Sequence, residues 1–150
     1  MYVGKDGNMY GEMEETVLAC LLLKPKLIEK LKIDEKYFKK FGYILTFFKN
    51  FYAKYHNLDI SIMLSIIKDT SQMTLMDAIT YFCSIFVLPS HFEEYQNRLI
   101  EMYKISKKEN WLRGKIYEKA TKLYLSEIGT KKFMDDINYL IKRADEIEWK

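Results

Sequence analysis

The side chains best suited to nucleophilic or metal chemistry are two cysteines and two histidines, and their spacing supports neither. A thiol nucleophile needs a base within hydrogen-bond reach and surroundings that favour the thiolate. Cys20 lies inside the apolar run Val17 to Leu23, far in sequence from His56 and His91, and Cys83 lies in a second apolar run. Without a C-x-x-C pair or a His–Cys cluster, both read as packed free thiols in a reducing compartment. No H-E-x-x-H and no G-x-x-x-x-G-K-[ST] occurs, so no pattern for zinc or for a nucleoside triphosphate is present. Glu93 and Glu94 are adjacent and cannot share a helix face. Trp111 and Trp149, at the two ends of a helical pair, read either as ordinary partly buried residues or as interface anchors. The expectation is a chain without catalytic residues, metal or cofactor.

The elements carrying these residues read as helices. The chain has 150 residues, 49% apolar and 30% charged, with two prolines and six glycines. This is the size of one domain, or one domain with an appendage, and too poor in turn residues for a β sandwich. The fold class expected is all-α. The run Val17–Leu23 follows Glu12, Glu14 and Glu15 rather than a basic segment, and seven residues cannot span a bilayer. A cytoplasmic protein with no membrane contact is expected.

Residues 1–11 hold three of the six glycines and read as a flexible arm. A helix is predicted from Glu12 to Leu23, its first-turn acids suited to the helix dipole. Pro25 opens a short helix, and Asp34 caps another turn. Phe41, Ile44, Leu45, Phe48, Phe51 and Tyr52 share one face of a helix over 40–55, with Gly42 allowing a close neighbour. Asp59 and Thr74 read as caps of the next two helices. Pro89 and the Ser90–Glu93 capping box open a helix to about residue 125, near 50 Å long. Gly129 marks its end, and Thr130 caps a last helix over 131–148. Its Phe133, Ile137, Leu140, Ala144 and Ile147 step by 4, 3, 4 and 3, the seam of a short coiled coil. Ile105, Leu112, Ile116, Ala120 and Leu123 answer it on the long helix. The organisation expected is an arm (1–11), a helical globule (12–88) and a long antiparallel helical hairpin (91–148). The candidate oligomer or partner interface is Leu112, Ile116, Leu123, Phe133, Ile137, Leu140, Ile147 and Trp111.

Charge gives a second candidate. Residues 24–55 carry nine lysines against three acids, net +6, whereas the whole chain is only +3. Lys36, Lys39, Lys40 and Lys49 are the candidate basic patch, suited to weak binding of single-stranded nucleic acid. The aromatic residues nearby fall at core spacing rather than on an exposed platform.

The stretch "EETVLACLLLKPKLIEKL…DEKYF…ILTFFKNFYAKYHNLDI" resembles the N-terminal domain of DnaB-type replicative helicases. Matching positions are Glu15, Val17, Leu18, Leu21 to Leu23 and Pro25, then Tyr37–Phe38, Leu45 to Phe48, Phe51–Tyr52 and Leu58–Asp59. The Pro89–Ser90…Tyr95 entry into the long helix and the closing "DDINYLIKRADEIE" extend the resemblance over about 12–148. Ala19 departs from it, standing where the family prefers glycine. The resemblance implies a non-catalytic collar domain that pairs with copies of itself and docks primase or a helicase loader. The chain would be part of a replicative helicase, or a stand-alone phage or mobile-element relative that meets a full-length one. The alternatives are the helicase-binding C-terminal domain of a bacterial primase, with a similar globule-and-hairpin build, and the lysine-patch nucleic-acid module.

Overall fold

From Val17 to Leu22 every side chain is buried, whichever way it points around the helix. A helix apolar on all sides belongs in the middle of a core. In the computed structural model, which describes residues 6–70 and 73–150, this helix is α1, Asp6–Leu23. Residues 6–11, read from the sequence as part of an arm, are its first turns; residues 1–5 lie outside the described residues. Tyr10 anchors that extension. Its ring is buried, and its hydroxyl donates to the Tyr37 carbonyl at 2.5 Å.

Pro25 stops α1 and starts a 3₁₀ turn, Pro25–Lys30, which buries Leu27. A second turn, Glu35–Tyr37, is capped as expected: Asp34 accepts from the Lys36 N–H at 3.1 Å. Helix α2 spans Gly42–Tyr55 and buries Ile44, Leu45, Phe48 and Phe51. A Cβ at Gly42 would meet the Glu35 carbonyl oxygen at 3.3 Å, so the glycine permits the preceding turn to close on the helix. Helix α3, Ile60–Thr70, begins where the Asp59 carboxylate accepts from the Ile62 N–H at 3.1 Å. Helix α4 spans Met73–Phe82. Thr74 therefore lies within the helix rather than capping it, and the chain leaves helical form at Phe82, before Ile85 and Phe86. Met63, Ile67, Leu75, Ile79 and Phe82 close the core, with Phe82 set edge-on to Phe41 at 5.3 Å. A short turn, Pro89–His91, leads into α5, Phe92–Tyr124. Glu93 lies 3.6 Å from Lys32, and so contributes across the fold. Helix α6 is Thr130–Glu146, with Gly129 rather than Thr130 at its N-cap. Among the described residues there is no strand; the architecture is all-α.

The chain divides into two compact units, Met1–Ile100 and Glu101–Lys150. The division falls within α5, later than the 88/91 boundary read from the sequence. Phe92, Gln96 and Leu99 explain the shift, because all three are buried in the first unit.

Two buried polar side chains tie that unit together. Glu14 is fully buried, and its Oε1 accepts from the N–H groups of Lys40 (3.0 Å) and Phe41 (2.9 Å) at the entry to α2. With α1 starting at Asp6, Glu14 sits in its third turn and serves the positive end of α2, not of its own helix. Gln96 accepts from the Lys32 N–H at 2.8 Å and donates to the Lys30 carbonyl at 3.4 Å. Each satisfies backbone groups that the short turns leave without helical partners.

Candidate interaction surfaces

The cysteines separate. Cys20 is fully buried, and burial pushes its thiol up to about 11, far from thiolate at neutral pH. Cys83, expected to be buried, is exposed, because α4 ends one residue before it. Among the described residues no group of His, Cys, Asp or Glu is placed to hold a metal ion, and no helix is long and apolar enough to cross a membrane.

The four lysines of the predicted basic patch are individually engaged. Lys49 bonds Glu35 at 2.8 Å and holds that carboxyl below its usual range. The ammonium groups of Lys36, Lys39 and Lys40 lie 5.0, 4.6 and 5.1 Å from the ring centroids of Tyr37, Tyr10 and Phe41. The cleft in this basic segment gathers different residues: about 360 Å³ lined by Lys24, Lys30 and Lys32, with Glu93, Phe92 and Gln96 opposite. Sequence distance concealed this group, since Glu93 and Gln96 come from α5.

In the second unit, contacts between α5 and α6 run in reverse chain order. Lys108 meets Asp145 at 2.6 Å, and Lys119 meets Asp136 at 3.3 Å. Trp111 and Trp149, read as marking opposite ends of the pair, stand together with ring centroids 5.9 Å apart and planes at 64°. The Trp149 indole N–H donates to the Ala144 carbonyl at 3.1 Å, which pins the ring pair. Leu140 and Ala144 are buried; Trp111, Leu112, Ile116, Leu123, Phe133, Ile137 and Ile147 are half-buried. Ile105 and Ala120, placed on the seam by their spacing, are exposed instead. Most of the seam is therefore only partly covered within this unit. Tyr117, Tyr124, Leu125, Met134, Tyr139 and Ile141 add exposed apolar surface on the same unit.

The turn after α5 is closed by Ser126, not by Gly129. Ser126 has φ 60°, its N–H bonds the Leu123 carbonyl at 3.0 Å, and the Glu127 N–H bonds Lys122 at 2.9 Å. These are the two bonds of a Schellman motif, whose left-handed residue is most often glycine. Ser126→Gly relieves that conformation and is expected to stabilise the protein by about 0.5–1 kcal/mol. Thermal unfolding followed by circular dichroism checks it.

Asp136 organises the electrostatics of this pair. Its Oδ1 lies 3.0 Å from Lys132 and its Oδ2 3.3 Å from Lys119. The hydrogen bond from Lys132, assisted by Lys119, holds its carboxyl below the usual range. A depressed carboxylate contributes stability above its unfolded-state pKa and loses it as pH falls through the folded-state value. Acid titration is therefore expected to loosen the α5–α6 pair below the ordinary carboxylate range, seen as a change in near-ultraviolet circular dichroism of Trp111 and Trp149. In Asp136→Asn that part of the change is expected to vanish.

Beside the seam, α5 and α6 enclose an open groove of about 480 Å³. Trp111, Lys115, Lys119 and Lys122 line it from α5, Tyr139 and Arg143 from α6, with Leu140 at its base. Nothing in the local sequence announced it, because the two stripes are joined only by the pairing of the helices. No family model, curated protein or solved structure matches this chain.

Proposed function

We propose that this chain is a non-catalytic interaction and oligomerisation module of a replication machinery, of the kind the DnaB-type N-terminal domain provides. The observation that carries the reading is the half-covered seam of the second unit. Leu112, Ile116, Phe133 and Ile137 each leave apolar surface open after α5 and α6 have paired. A second copy of the same pair would complete their burial, at about 25 cal/mol for each Å² removed from water. The first unit, with its own core, remains available for primase or a loader.

Light scattering of the purified chain, with and without a primase, tests the reading. Dimers or larger species that retain primase support it, and a chain that stays monomeric at high micromolar concentration and ignores primase refutes it. Retention of a replicative helicase in place of primase would favour the other replisome reading, the helicase-binding domain of a primase.

A further inference from the structure

We propose that the groove between α5 and α6 in the second unit is a binding site for a short single strand of nucleic acid. Lys115, Lys119 and Lys122 fall at steps of four and three along α5, so they form one row over about 10 Å of helix axis. Arg143 faces them from α6, and with Glu118 and Asp136 counted the lining is net +2. The two acids are already matched. Asp136 is held by Lys119 and Lys132, Glu118 lies 3.7 Å from Lys115, and Arg143 itself lies 3.8 Å from Glu146 in an exposed pair that a phosphate can displace.

Charge alone would accept any polyanion; the rings narrow the class. Tyr139 on the groove wall is 66% exposed, and Trp111 lies at one end of the groove with its ring fixed against Trp149. Cations that follow a backbone beside aromatic rings on which bases stack are the pairing used for single strands. An acidic peptide would use the cations and leave the exposed Tyr139 ring unused. A duplex would keep its bases turned away from them, and about 480 Å³ holds only a nucleotide or two.

The groove lies about 100° around each helix from the seam of Ile116 and Ile137. Trp111 and Leu140 belong to both, whereas Lys115, Lys122, Tyr139 and Arg143 lie off the seam, so variants at those four positions read strand binding apart from self-association.

The test is fluorescence anisotropy of a labelled oligothymidine of about 12 nucleotides with the full chain. Contacts from Lys115, Lys122 and Arg143 imply an affinity about 100-fold weaker when salt rises tenfold, from about 20 to about 200 mM. Lys122→Glu with Arg143→Glu is expected to weaken binding at least about tenfold. Tyr139→Ala is expected to weaken it about tenfold while leaving the salt slope unchanged, a split that a purely electrostatic site would not give. Lys68→Glu, exposed on α3 in the first unit and outside both basic groups, should leave binding as it was. Far-ultraviolet circular dichroism confirms that each variant stays helical. Three results would overturn the proposal: no binding at low salt, full binding by the groove double variant, or displacement of the oligonucleotide by polyglutamate as readily as by unlabelled strand. Sedimentation of the same samples reports self-association independently.

Discussion

Glu14→Ala is expected to lower the free energy of unfolding by about 2–4 kcal/mol, more than a surface acid-to-alanine change at any exposed position. Oε1 is the acceptor for two backbone donors, Lys40 N–H and Phe41 N–H, and the side chain is fully buried. Deleting it leaves both donors without a partner, at about 1–3 kcal/mol each, partly offset if water enters the space. Glu14→Gln keeps a carbonyl acceptor at the same reach, so its cost should be less than half as large. Oε2 is buried with no hydrogen-bond partner of its own, and the amide removes a charge there. Urea unfolding of the two variants, with unchanged m-values, separates the roles of acceptor and charge. A cost below about 0.5 kcal/mol for the alanine variant would show that the link between α1 and the start of α2 is not what holds this corner.

Ile116→Glu combined with Ile137→Glu is expected to weaken self-association at least about 100-fold while leaving the first unit folded. Both side chains are half-buried, one on α5 and one on α6, and a second copy would cover the remainder. Burying an ionised carboxylate in such a seam without a partner costs several kcal/mol, and about 2.7 kcal/mol already corresponds to 100-fold. Near-complete retention of far-ultraviolet ellipticity, with loss of the larger species in sedimentation, is the expected pair of observations. A double variant that sediments as the parent does would place the contact elsewhere on the chain.

The helices were legible in the sequence wherever a single element carries its own signal. Phe41 to Tyr52 report one face by spacing alone, Asp34 and Asp59 bond N–H groups two and three residues on, and Pro25 breaks α1 by chemistry that needs no partner. What depended on two elements meeting was hidden. Glu14 looked like a solvated first-turn acid because the start of α1 at Asp6 and its approach to Lys40 and Phe41 are tertiary facts. Trp111 and Trp149 looked far apart because 38 residues separate them in sequence; the reversal at Ser126 brings them to 5.9 Å. The grouping of lysines into clefts was hidden in the same way. Local charge density picked Lys36, Lys39, Lys40 and Lys49, whereas the two clefts gather lysines by packing, at Lys24, Lys30 and Lys32 and at Lys115, Lys119 and Lys122. Ser126 gave no signal because serine at a left-handed position is the exception, and Gly129, three residues on, was the more plausible punctuation.

Sedimentation equilibrium of the unmodified chain over about 5–100 μM tests the central claim most directly. A half-covered apolar seam that is completed by a second copy predicts a mass of two protomers or a larger closed multiple, with dissociation in the micromolar range or tighter. A mass that stays at the 18.0 kDa of one chain across the whole range would contradict it.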